Sequence, residues 1–318
     1  TASGIAITNG SSTNSSAVLT KSGACTITGT GESSTINNYG TATLSAGTVS
    51  SSNFRAVYNQ GTGKVIVSGA TLTAKKNAIY NAGTANTTTT PAVKVTSGTV
   101  ESTEAASIYN TVAGMVYLTG GTIKQQASSS AVNNYSTGTV RVSGANITAA
   151  SGQALRNEST GTITVTSGTI TSNASNAITN VSTGKIVVTG GKLTGGVNGI
   201  VNSSTGTITL GTKETTANVS TTAPSITAAQ RGIIKGTGTF NFYDGVIKGA
   251  AGTSISGTPT EVQPGYKVQK TTANNIETAI LVAETSTTSS TGTNTVSSTA
   301  SVSEEEATTF SLKPSAND

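Results

Sequence analysis

Chemistry needs titratable or nucleophilic side chains at short spacing, and this sequence supplies few. Ahead of residue 258 its acids are Glu32, Glu101, Glu104, Glu158, Glu214 and Asp244. Paired carboxylates could hydrolyse a glycosidic bond or hold calcium. Most of these acids, however, fall in different copies of the repeat described below. Glu101 and Glu104 share a copy, but Glu101 aligns with Lys124 of the next one, which reads as a surface ion pair. Asp244 sits just after Phe242, where Asp is an ordinary turn former. The chain has no His, which leaves no Ser-His-Asp triad and no imidazole metal site. "GTGK" and "STGK" lack the spacing and the following Ser or Thr of a phosphate loop. The expectation is a non-catalytic chain with no cofactor and no metal. One exposed feature stands out: Tyr58, Tyr80 and Tyr109 hold the same position in consecutive repeats. They are expected to stack outside a sheet, packing on one another or serving as a contact strip for a sugar or a protein.

The repeat must position all of these residues. A small-apolar-x-Asn element ends at Asn38, Asn59, Asn81, Asn110, Asn134, Asn157, Asn180 and Asn202, as in "AIYN" and "ALRN". The steps are 21, 22, 29, 24, 23, 23 and 22 residues, and the long one contains the polar insertion "TANTTTTP". "GIIK" puts Lys235 in the Asn slot after a second insertion, "KETTANVSTTAPS". An earlier partial match, "AVLT", puts Thr20 there.

Between Asn positions runs Gly-x-apolar-x-apolar, then a small-residue turn, then Thr-apolar. Val140/Val142, Ile163/Val165 and Ile186/Val188 fill the alternating slots, with Ile147, Ile170 and Leu193 beyond the turn. Alternation over four or five residues marks a half-buried strand. Three short strands in about 22 residues, with Gly-rich corners, predict one turn of a parallel β-helix. The period favours the right-handed form over the hexapeptide rhythm of left-handed helices. The fold class is therefore all-β: a right-handed parallel β-helix of about ten or eleven coils, near 50 Å long at about 4.8 Å per coil. The Asn residues are expected to be structural, their amides bonding from coil to coil as a ladder. Some lie in Asn-x-Ser/Thr sequons such as "NES" at 157, which a Ser- and Thr-rich chain generates readily. Cys25 falls in the slot of Val140 and Ile163 and reads as a small core residue.

Composition agrees. Only 10% of the 318 residues are charged and 4% aromatic, while 37 are Gly. That is too few large side chains for an ordinary globular core, yet the Val, Ile and Leu present are periodic. The net charge of +5 is scattered, with Lys75-Lys76 the sole adjacent basic pair, which argues against a nucleic-acid partner. No apolar run approaches the roughly 20 residues of a membrane span, so membrane insertion is not expected. Thr1 reads as a mature or trimmed start. Ice binding would need unbroken Thr-x-Thr rows, and Thr162-x-Thr164 gives way to Lys185-x-Val187 one coil later.

The expected divisions are a parallel β-helix over 1–257, a C-terminal β-hairpin cap over 258–284 and a Ser/Thr-rich linker or subunit-docking tail over 285–318. The polar N-terminal side shows no capping helix, so association of copies is expected, end-to-end or side-by-side, with the Tyr58/Tyr80/Tyr109 strip as the lateral contact. The "GTITVTSGTI" and "AIYN" coils, closed by "FYDGVIKG" and "GYKV", resemble β-helical repeat segments of large secreted surface proteins of Gram-positive bacteria. The resemblance covers residues from about 17 to 284. It implies a secreted, cell-surface setting and an adhesin-like or structural role. No cell-wall sorting signal ends the chain, so the resemblance further implies a fragment or another mode of anchoring. The functional expectation is an extracellular structural or adhesive element that self-associates, with a surface glycan or host protein as a further partner. The alternative is a β-helical polysaccharide lyase or hydrolase, or a phage-type spike.

Overall fold

Three inward-facing aliphatic columns per coil cannot close a core alone. Stacking the coils closes it, and the architecture follows. In a computed structural model, which describes residues 1–215 and 219–284, the unit Thr1–Glu284 is a parallel β-solenoid of about eleven turns. The described residues contain no helix. The expected tail from 285 lies outside the described residues.

One face is an 11-stranded sheet built from the short Asn segments, from Ile7–Asn9 through Ile79–Gly83 and Ile200–Asn202 to Ile255–Ser256. All ten of its strand pairings are parallel and in register, so like stacks on like. Ile79 pairs with Ile108, Tyr80 with Tyr109, and Asn81 with Asn110. The other two faces carry the remaining alternating slots. Val142, Val165 and Val188 stack in one buried column, and Ile147, Ile170 and Leu193 in another. Small residues before the apolar slot, such as Ala154 and Ala177, are buried where the chain turns a corner.

Two details depart from the expected three separate strands. In four coils the second and third strands run together, as in Thr139–Ala149 and Thr162–Ser172. A register shift between Val142 and Asn146 takes the chain around the corner without ending the ladder. Gly168 sits at that bend with φ 107°, a conformation costly for any side chain. The second insertion proved to precede a further strand: Ser225–Ala228 places Ile226 between Leu193 and Ile247.

The first coil corrects two expectations. Thr20 is not in the Asn slot; it pairs with Thr43 on another face. The first rung is Asn9, in an "AITN" identical to that ending at Asn180. Cys25 is exposed and immediately precedes the strand whose Ile27 aligns with Val49, so it is no core residue. The core slot aligned with Leu44 is filled instead by Lys21. Its stem is buried, and its ammonium donates to the carbonyls of Gly23, Cys25 and Ala46 at 3.0, 2.7 and 2.6 Å. Three donors matched to three acceptors make that burial tolerable.

At the far end Phe240 and Phe242 fill the alternating slots, fully buried and stacked at 5.8 Å. A hairpin of Tyr266–Ala273 and Ile276–Ala283 follows. Its second strand pairs antiparallel with Val246–Ala250 and buries Ala279 and Leu281. Asn274 and Asn275 form the two-residue turn with φ 51° and 60°, positions where Asn is among the best-tolerated residues.

The Asn ladder is continuous. Asn9 Nδ2 donates to Asn38 Oδ1, Asn38 to Asn59, and so on to Asn202, every bond between 2.6 and 2.8 Å. From Asn38 to Asn202 these side chains are fully buried, so the sequon at Asn157 offers no acceptor in the folded chain. In six coils the second Nδ2 hydrogen goes to the carbonyl of the Gly four residues on, such as Asn157 to Gly161 at 2.8 Å. Beyond Asn202 the column ends on the Lys235 carbonyl at 3.1 Å, in the slot assigned from sequence.

Asn157→Asp strips the donors from Asn180 Oδ1 and the Gly161 carbonyl and buries a charge. It should destabilise by about 3 kcal/mol or more. Gly184→Ala places a Cβ 2.0 Å from Asn157 Nδ2 and should cost about 1–3 kcal/mol. Urea midpoints measure both; a change below about 0.5 kcal/mol, typical of exposed sites, would contradict the ladder's role.

Candidate functional site

Alternation in the Asn-face strands sends the aliphatic residue and Asn inward and the residue between them outward. Coils three to five carry Tyr58, Tyr80 and Tyr109 at that outward position, in direct register. Their ring centroids lie 5.3 and 5.4 Å apart, with interplanar angles of 85° and 48°. The expected stack is present, but tilted edge to face rather than flat, as ring quadrupoles favour. Tyr135, which the spacing did not reveal, continues it 5.7 Å from Tyr109. It follows Asn134 instead of preceding Asn134, and it is 52% exposed. The preceding slot in that coil holds Asn133.

Arg55, also missed from sequence, flanks the strip. Its guanidinium lies 3.7 Å from the Tyr80 ring centroid, 4.4 Å from Phe54 and 5.5 Å from Tyr58. Burial lowers its pKa from the usual value, partly offset by the neighbouring tyrosines. On the other side, Glu158 accepts from Arg156 Nε at 2.8 Å and from Asn133 Nδ2 at 2.7 Å. Tyr109 lies between these charges. Burial chiefly, then Glu158 and the adjacent rings, pushes its hydroxyl up to about 12.

The acids mostly follow the sequence reading. Glu101 pairs with Lys124 at 3.3 Å, and Glu104 is bracketed by Lys75 and Lys76 at 3.7 and 2.7 Å. Asp244 does serve a turn: Oδ1 accepts from the Ser220 and Gly245 amides at 2.5 and 2.7 Å, holding Ser220 against the turn after Phe242. One grouping was not foreseen. Stacking brings Glu214 and Asp244 to a cavity of about 170 Å³, lined also by Tyr243 and Gln263. Burial raises the Asp244 pKa and the Glu214 charge adds to that, against the pull of the two amides. Beside it, Glu261 takes the Tyr243 hydroxyl at 2.5 Å and an ion pair from Lys213. Burial and then Glu261 raise Tyr243 to about 12. Among the described residues no group of three or more His, Cys, Asp or Glu is arranged to hold a metal, and no helix could cross a membrane.

The chain matches no protein-family model, no curated protein and no solved structure.

The two raised tyrosines set an alkaline limit. An unfolded tyrosine titrates near 10. The folded state holds these protons more tightly, so their contribution is complete below pH 10 and is lost as pH rises through about 12. Urea melts between pH 9 and 12 should show stability falling, with Tyr109→Phe and Tyr243→Phe each removing part of the fall. An unchanged alkaline loss in both variants would contradict the assignment.

Proposed function

We propose that this chain is a non-catalytic structural or adhesive element of an extracellular surface, with the tyrosine strip as its contact face. The observation that carries the reading is the strip itself: four rings in line on the outside of a solenoid whose Asn ladder runs from Asn9 to Asn202. Aromatic side chains supply large contact area at low conformational cost, and they are enriched in interfaces for that reason. A surface rich in Ser, Thr, Asn and Gly and poor in charge lets copies approach closely. Of the first-coil strands, Ile7–Asn9 and Val18–Lys21 pair with one neighbouring strand each, while Ala2 bridges the outer side of Thr26–Gly29 at Gly29. Val18 there is 70% exposed, which supports end-to-end contact with a second copy as well.

Sedimentation across a concentration series should show self-association. The Tyr58/Tyr80/Tyr109→Ser triple variant should shift the species toward monomer or reduce attachment to cells. A strict monomer at high concentration would remove self-association from the reading; unchanged assembly and attachment in the variant would remove the strip.

A second reading, a carbohydrate-active enzyme, is favoured by the carboxylates Glu214 and Asp244 at one cavity. Incubation with plant and host polysaccharides distinguishes the two. The proposed function expects no release of reducing ends or unsaturated products; release abolished by Asp244→Asn would establish the enzyme instead.

A further inference from the structure

Beside the strip, a groove of about 280 Å³ runs from Arg55 across Tyr80 and Tyr109 to Asn133. That is near the lower bound of small-molecule sites, about 300 Å³, and suits one compact polar group better than an extended ligand. At the Arg55 end it carries an unpaired cation. Arg55 makes no side-chain hydrogen bond and no ion pair to any described residue; its recorded partners are the rings. Arg55 Nε is buried without an acceptor, and Asn133 Oδ1 is buried without a donor. The Asn133 amide is oriented by its bond from Nδ2 to Glu158, so the free oxygen cannot be relieved by turning the amide over. Buried polar groups without partners are rare and cost about 1–3 kcal/mol each.

These features lie in a fixed order. Arg55, Tyr80, Tyr109 and Asn133 enter from four consecutive coils, so the groove runs about 14 Å along the sheet in steps of about 4.8 Å, and a single sugar residue covers the part next to Arg55. A guanidinium with no ion pair at one end suits a carboxylate. The Arg55 guanidinium covers the Tyr80 ring, and the neighbouring Tyr109 ring supplies apolar surface for the C–H face of a pyranose. Glu158 beyond Asn133 repels a second anion, which orients the occupant with its carboxylate toward Arg55. A peptide gains less, because interior strands of this sheet are paired on both sides and offer no edge for strand addition.

We propose that the Arg55–Tyr80–Tyr109–Asn133 groove binds a carboxylated sugar residue, a uronic or sialic acid, within a surface glycan. This deepens the reading of the strip as a contact face by naming its ligand class.

The test uses the full chain, with oligogalacturonate, a glucuronate-containing tetrasaccharide and sialyllactose as probes against neutral maltotriose and cellotriose. The chain has no Trp, and four of its eight Tyr lie in the strip, so the change in tyrosine emission lost in the Tyr58/Tyr80/Tyr109→Ser variant reports the strip, with calorimetry as a second readout. At least one carboxylated probe should bind about tenfold or more tighter than the neutral ones, and added salt should weaken it. Arg55→Gln should abolish that preference. Arg141→Gln, beside Tyr117 on another face, should leave it intact. Circular dichroism and urea midpoints confirm that each variant folds. The proposal is overturned if no carboxylated probe binds below about 10 mM. Unchanged binding by Arg55→Gln, or equal affinity for a Glu-containing peptide, overturns it too. Should Arg55→Gln lose the sugar while the triple tyrosine variant still assembles and adheres normally, the groove stands and the broader reading of the strip fails.

Discussion

A buried asparagine amide carries two donors and an acceptor into a core closed to water, and each must find a partner. Here one donor goes to the next coil's Asn and the other, in six coils, to the carbonyl of a Gly four residues on. That requirement propagates outward. Like residues must stack on like, which fixes register. The turn after each Asn must bring a carbonyl under the amide. The following coil's Gly must lack a Cβ, because one at Gly161 or Gly206 would come within 2.2 or 2.1 Å of the Asn above. Insertions are confined to corners, such as residues 84–91 between Gly83 and Val93, where they leave the column untouched. The column also has a sense: every Nδ2 points toward the C-terminal end, so successive bonds polarise one another in one direction.

The aliphatic columns provide most of the burial and the ladder provides specificity. A slip by one position would turn every Val, Ile and Leu outward, and a slip by two, which keeps them inward, would still break every Asn-to-Asn bond at once. The ends need other solutions. Lys21 closes one end of the core with three carbonyls, and the Phe240–Phe242 stack with its antiparallel hairpin closes the other. Neither belongs to the repeat, as is usual for solenoid termini.

Function has only the outward positions to work with, because inward ones are committed to the core. The register that stacks Asn on Asn also stacks Tyr on Tyr. Arg55 and Glu158 then make the strip electrically asymmetric, with a cation resting on Tyr80 and an anion held by Arg156 and Asn133. The tyrosine strip thus follows from the scaffold's periodicity, and its chemical character from two residues that break it.

What could be read from the chain alone was whatever repeats. The Asn slots from 38 to 202, the paired aliphatic slots and the Tyr58–Tyr80–Tyr109 line were legible because parallel in-register stacking converts sequence period directly into contact. The hairpin cap and the Glu101–Lys124 pair were legible for similar reasons, one from local turn chemistry and one from coil-to-coil alignment. Residues outside the period were not legible. Asn9 was passed over for Thr20 because the first coil carries a long corner, and Cys25 was assigned inward although Lys21 takes the nearby core slot. Tyr135 and Arg55 join the strip from corner positions, where backbone direction rather than alternation aims the side chain. Glu214 and Asp244, 30 residues apart in the chain, meet because Glu214 is bonded to Gln263 two coils further on. Period determines which residues stack; only the three-dimensional path of the corners decides which of the others meet.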